Sequence, residues 1–137
     1  VPVHQQTIEI ETNGSGLVDI TREVAAVVRA SGLRTGLCTV FVRHTSASLV
    51  IQENADRAVL RDLQRWMRDL APEDRAWEHA DEGPDDMPAH ARAAITRAAE
   101  AIPVTGGELA LGTWQALYLW EHRARPHRRQ VVVHVAG

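Results

Sequence analysis

The chain reads as one α+β domain over residues 1–137, a mixed β-sheet carrying about three helices. Two observations predict this class. Apolar runs of period two and of period 3.6 follow one another without the regular strand–helix–strand alternation of a doubly wound sheet. Turn residues punctuate every run (Asn13-Gly14, Gly32, Pro72, Gly106-Gly107), and no repeat, linker or low-complexity segment divides the chain. A chain of 137 residues is long enough to bury a real core.

Taken in order, Val3 to Thr12 alternates around Ile8 and Ile10 and predicts a strand, closed by Asn13-Gly14-Ser15-Gly16. A helix follows, capped by Asp19 or Thr21, with Ile20, Val24, Val27 and Val28 as its apolar stripe and Gly32 as its end. Leu37 to Arg43 and Ala47 to Gln52 read as strands. Asp56 caps the strongest helix, which Pro72 terminates. Its stripe of Val59, Leu60, Leu63, Trp66, Met67 and Leu70 places Trp66 and Met67 in the core, with arginines and aspartates opposite. After a polar loop over 73–86, a third helix starts near Pro88 with Asp86 as cap and alanines at 91, 94 and 98 for close packing. The last third is a strand meander through Ile102–Val104, Leu109–Leu111, Trp114–Glu121 and Gln130–Val135.

The formal net charge is −3, and the 15 basic residues, all arginine, are spread along the chain. This argues against a dedicated nucleic-acid binder with a basic face, and leaves room only for a local basic patch around Arg123, Arg125, Arg128 and Arg129. The single cysteine, Cys38, lies inside an apolar strand and reads as a buried, inert thiol. No segment has the form of a signal peptide or a membrane span, so no membrane partner and a cytoplasmic location are expected.

The chemistry-bearing residues gather where elements end. His44 follows an apolar strand and precedes Thr45, Ser46 and Ser48, whose hydroxyls and free N–H groups suit an anionic oxygen; an ordinary capped turn would look the same. Asp85, Asp86 and His90 surround a helix N-terminus, where the dipole favours a neutral imidazole fit for metal ligation or base catalysis. Glu121-His122-Arg123 closes a strand. Alternation puts His122 on the face of Tyr118 and Trp120, a setting that also suits a satisfied core histidine. No HExxH, paired CxxC, Walker or GxSxG pattern is present.

Five ordered segments together resemble the YjbQ family, often labelled secondary thiamine-phosphate synthase. They are His44–Leu49, Glu53-Asn54-Ala55-Asp56, Glu82–His90, Gly112-Thr113-Trp114-Gln115 and Glu121-His122-Arg123. The resemblance implies an α+β homotrimer that joins hydroxymethylpyrimidine diphosphate to a thiazole phosphate with release of diphosphate. It implies functional roles for His44, Thr45, Ser46, Ser48, Asn54, His79, Asp86, His90, Gln115, His122 and Arg123. Two positions depart from the family pattern, Ala80 after His79 and Ala116 after Gln115, the second narrowing the pocket floor.

Such a reaction needs the leaving diphosphate neutralised, by a divalent metal (Mg²⁺ or Zn²⁺), by Arg123 or by donors near Ser46. His44, His90 and His122 are therefore expected to converge as metal ligands or phosphate donors, with His79 a further candidate and Asp86 or Glu121 behind them. Asp86, His44, His90, His122 and Arg123 form the expected catalytic set; Thr45, Ser46, Ser48, Asn54 and Gln115 bind the ligand. The expected partner is a small phosphorylated metabolite, with no organic cofactor. Two other classes fit the same residues: a non-catalytic trimer that binds a phosphorylated metabolite, and a metal-dependent hydrolase. The homotrimer draws support from apolar surface at Trp114, Trp120 and Val131-Val132-Val133.

Overall fold

A computed structural model describes residues 2–137. The element order is β1 (Val3–Glu11), β2 (Gly16–Asp19), α1 (Thr21–Ser31), β3 (Thr35–Val42), β4 (Ala47–Glu53), α2 (Arg57–Leu70), α3 (Asp86–Ile95), β5 (Ala99–Thr105), β6 (Glu108–Leu109), β7 (Gln115–Glu121) and β8 (Arg128–Ala136). The class is α+β with three helices, as expected. The sheet is not mixed, however. Two curled sheets, β1-β8-β3-β5-β6 and β2-β7-β4, pair antiparallel at every named ladder.

Alternation builds the core between them. Cys38, Val40 and Val42 of β3, Val131, Val133 and Val135 of β8, and Leu117 and Leu119 of β7 all point inward. Helix α1 adds Val24, Val27 and Val28 and stops at Gly32, whose φ of 70° is the left-handed conformation that releases a helix. Gly36 is required for a different reason: a Cβ there would collide with the Ala136 carbonyl across the β3–β8 pair. Cys38 is fully buried, and that burial pushes its thiol up to about 11, which keeps it inert.

Helix α2 is capped as read, with the Asp56 carboxylate accepting from the Ala58 N–H at 2.9 Å. Its apolar stripe is only partly covered. Met67 is buried, but Trp66 is 55% exposed and Leu70 50%, so Trp66 is not a core residue. The three-stranded sheet beneath is too narrow to cover a stripe that wide. Trp120 and the valine run are likewise displaced from expectation: Trp120, Val131 and Val133 are buried inside this chain, and only Trp114 of that set stays exposed. Among the described residues, no helix is long and apolar enough to cross a membrane.

The β3–β4 corner is what positions the site. The N–H groups of Val42 and Leu49 donate to the carbonyls of Ala98 and Arg97, docking the exit of α3 against that corner. The His122 N–H donates to the Ser46 carbonyl, so the end of β7 meets the same corner. His44, His90 and His122 are thereby brought into one region from three separate stretches of chain.

Candidate functional site

Asp86 is the centre. It is not the helix cap: Asp85 takes that position, and Asp86 is the first residue of α3 with its side chain turned inward, almost fully buried. Its Oδ2 lies 2.7 Å from His79 Nε2 and 3.1 Å from His90 Nε2, one helical turn on. Its Oδ1 accepts from Arg123 Nη1 at 2.8 Å. One carboxylate oxygen is thus held by a guanidinium, and the other faces two imidazoles. Burial alone would raise the Asp86 carboxyl, but the His79 hydrogen bond and the charges of Arg123 and His90 outweigh it and hold the group below its usual range. In return, the Asp86 hydrogen bond raises His79.

His79, Asp86 and His90 each offer one ligand atom, all within 4.8 Å of one another. Two imidazole nitrogens and one carboxylate oxygen are a donor set suited to Zn²⁺ or another borderline divalent metal, with positions left open for a substrate. His79 sits in the polar 73–85 loop, where no periodicity marks it; the only signal in the sequence is its family motif.

Arg123 does not face a ligand as expected. Its Nε donates to Asp85 Oδ2 at 2.9 Å, its Nη1 to Asp86 and its Nη2 to the Glu82 carbonyl. The Asp85 bond, foremost among these contacts, raises its already high pKa. Its charge is spent on locking the acidic turn in place, which makes it a positioning residue for Asp86.

His44 borders the same region across a cavity of about 320 Å³, lined with Thr45, Ala47, His90 and the alanines at 93, 94 and 98. The Ser46 backbone N–H donates to His44 Nδ1 at 3.1 Å, and the Ser46 hydroxyl lies 2.9 Å from the same nitrogen. A backbone N–H can only donate, so Nδ1 is an acceptor and the neutral ring carries its proton on Nε2. Burial, then the nearby Arg129 charge, lowers the His44 pKa and keeps the ring neutral. This tautomer presents a donor rather than a metal-ligating lone pair at Nε2. His44 is therefore a hydrogen-bond donor and not the metal ligand it was read to be.

His122 is not a ligand either. Its ring is 2% exposed, lies 5.5 Å from the Trp120 ring and shares a 2.8 Å hydrogen bond between Nε2 and Ser48 Oγ. Burial, with Arg92 second, pushes its pKa down to about 3. The face it shares with Trp120 is the one alternation predicts, and the satisfied core histidine is what the fold makes of it.

The expected hydroxyl cradle also turns inward. Ser48 is spent on His122, while Ser46 is buried and its Oγ accepts from Arg129 Nη2 at 2.9 Å. Only Thr45 of that set is exposed to the cavity. Arg129 in turn is paired with Glu121, and Thr12 donates to the same carboxylate at 2.7 Å. This buried Thr12–Glu121–Arg129–Ser46 chain ends on His44, and sequence reading missed Arg129 and Thr12.

Asn54 and Gln115 lie elsewhere. In the β4–β7 ladder Ala47 pairs with Glu121 at the histidine end, and Glu53 pairs with Gln115 at the other. Six residues of strand separate the ends by about 20 Å. Asn54 Nδ2 donates to the Thr113 and Gln115 carbonyls, and Gln115 Oε1 accepts from the Gly112 N–H, so both close the β4–β7 end structurally. Ala116 is buried at that far end and does not floor the cavity.

A family model described as UPF0047 protein YjbQ-like matches residues 6–137. The chain belongs to the YjbQ (UPF0047) family. A UPF0047 relative from Synechocystis is 57% identical over 98% of this chain and 92% of its own length. UPF0047 protein YjbQ of Salmonella typhimurium is 37% identical, with 98% of each chain covered. Among solved structures, a YbjQ-like protein of unknown function from Sulfolobus solfataricus superposes with a TM-score of 0.88 at 29% identity, covering 98% of this chain and 99% of that one. A conserved hypothetical protein from Thermus thermophilus gives 0.85 at 34% identity, covering 96% and 99%. The family resemblance drawn from the five motifs and the fold class are thereby shown.

Proposed function

We propose that this YjbQ-family chain is a metal-assisted transferase of the thiamine-phosphate synthase type, acting on small phosphorylated substrates in the cavity between His44 and α3. The observation that carries the reading is the His79–Asp86–His90 donor set, whose His90 also lines a cavity of about 320 Å³, a volume suited to a small metabolite. Those three residues would hold Zn²⁺ or another borderline divalent metal rather than Mg²⁺, and its charge would neutralise the departing diphosphate.

In the reaction the thiazole nitrogen attacks the methylene carbon of hydroxymethylpyrimidine diphosphate. The C–N bond forms as the C–O bond breaks, and diphosphate leaves with the electron pair. The chain's own part is positional and electrostatic. His44 Nε2–H donates to an oxygen of the bound phosphate group, its orientation set by Ser46. Arg123 keeps Asp86 Oδ1 occupied so that Oδ2 faces the two histidines. The alanines at 93, 94 and 98 give the reacting carbon an apolar wall to lie against.

The test is product formation from the two substrates with Mg²⁺ or Zn²⁺, in the native chain and in four variants. Asp86→Asn and His90→Ala are expected to lower turnover at least about 100-fold and to lose stoichiometric metal by elemental analysis. His44→Gln, which keeps a donor, should retain clearly more activity than His44→Ala. Calorimetric binding of both substrates without product would favour the non-catalytic binding protein. Turnover of simple phosphoesters with Zn²⁺ or Mn²⁺, but not of the substrate pair, would favour the hydrolase.

The assembly that accompanies this reading is a homotrimer. Trp66, Trp114 and Ile95 are each more than half exposed, which leaves apolar surface for neighbours to cover. Light scattering is expected to return three times the mass of one chain; a monomer mass would remove this part of the proposal.

A further inference from the structure

The dispersed arginines of the sequence are not dispersed on α2. Arg57, Arg61, Arg65 and Arg68 follow at steps of four, four and three residues, which stacks them along one face of the helix. All four are exposed, and together with Gly16 and Leu17 of β2 they line a groove of about 310 Å³. At 1.5 Å per residue the row extends for about 17 Å. Among the described residues, none of the four has a carboxylate within 4.0 Å, although Arg29, Arg97, Arg123, Arg128 and Arg129 all have one. The aspartates of the same helix, Asp62 and Asp69, are set off by about 100° of rotation from the centre of this row.

Four unneutralised guanidinium groups along one groove repel each other and attract a ligand with several negative charges. Each presents a planar fork that fits two phosphate oxygens. The spacing of about 6 Å between neighbours lets consecutive arginines engage alternate phosphates of a linear chain. The groove has no aromatic wall: Trp66 projects from the opposite side of α2, and Trp120 is buried with its Nε1–H donated to Gln64. Nucleic-acid bases would find no aromatic ring to stack on. An open bed of cations beside an edge strand suits a charged chain that carries no rings.

We propose that the α2–β2 groove is an oligophosphate-binding site, separate from the histidine cavity. Inorganic tripolyphosphate is the probe, titrated calorimetrically into the full chain in chelator-treated, metal-free buffer. Binding is expected to be saturable, to tighten from orthophosphate to diphosphate to tripolyphosphate, and to weaken as salt rises. The double variant R61E/R65E should weaken tripolyphosphate at least about tenfold. Both changes are on an exposed helix face, and a native circular-dichroism spectrum and melting midpoint establish that the variant is folded. Asp86→Asn should leave the affinity unchanged.

Three results would overturn the proposal. Equal tripolyphosphate affinity in native chain and R61E/R65E is one. Loss of that affinity in Asp86→Asn, which would place the anion at the histidines, is another. The third is tighter binding of an oligothymidylate than of tripolyphosphate, abolished by R61E/R65E, which would make the groove a nucleic-acid surface.

Discussion

Replacing Arg129 with methionine is expected to lower folding stability by about 3–5 kcal/mol, since it strands a carboxylate that is 0% exposed. In the native chain Glu121 accepts from Arg129 Nε at 2.9 Å, from Thr12 and from the Arg123 N–H. Burial by itself would raise the Glu121 carboxyl, yet those bonds outweigh it and the pKa is lowered. With the folded pKa below the unfolded one, the native pair contributes stability above the unfolded carboxylate pKa and loses it as pH falls through the folded value. In Arg129→Met the burial effect is left unopposed and the folded pKa rises instead, so this group's contribution recovers on acidification. The stability difference between native chain and variant should therefore shrink as pH is lowered from neutral toward 4. Urea denaturation at a series of pH values measures it. The double variant Glu121→Leu/Arg129→Met removes both charges and should recover a large part of the loss. A constant difference across pH, or no recovery in the double variant, would mean the pair is not what holds this corner together.

How far this corner was legible depends on the range of each interaction. Helix α2 announces itself because Asp56, the apolar stripe and Pro72 are all local signals, and β3 and β8 do so through alternation. Strand β2 does not: its four residues, begun by a glycine, carry too little pattern to stand out from the turn before α1. Periodicity gave the face of Trp66 but not how much of that face a neighbour covers. The histidines were found at the element ends, yet their roles were decided by partners remote in sequence. Ser48 meets His122 across 74 residues, and Ser46 meets Arg129 across 83. Nothing local distinguishes a serine facing a ligand from one facing a buried guanidinium. The same holds for Asn54 and Gln115, whose family motifs marked them without saying which end of the β4–β7 ladder they occupy.

A second large effect is expected from His122, and it separates a structural histidine from the proposed metal ligands. Its folded pKa is about 3, against an ordinary value of 6.5, because burial and then the Arg92 charge disfavour the imidazolium. Arg92 is itself fixed nearby, its Nη2 bonded to the Ala71 carbonyl at the end of α2. Between pH 6.5 and about 3 the unfolded chain takes up a proton here that the folded chain refuses. Stability from this residue is thus fully present above 6.5 and is lost as pH falls toward 3, by on the order of 4–5 kcal/mol over the window. His122→Gln places an amide where Nε2 stood, keeps a partner for Ser48 and cannot titrate. Its stability, measured by urea denaturation, should fall less steeply than that of the native chain from pH 6.5 to 4. His44 and the paired carboxylates contribute equally to both proteins, so the difference between the two curves belongs to His122. Parallel curves would show that the ring is charged or hydrated in the folded state. Metal content supplies the second readout: His122→Gln should bind as much as the native chain, whereas His90→Ala should not. An imidazole that governs acid stability without governing metal is a core residue, and the chemistry of this corner then rests with His44, His79, Asp86 and His90.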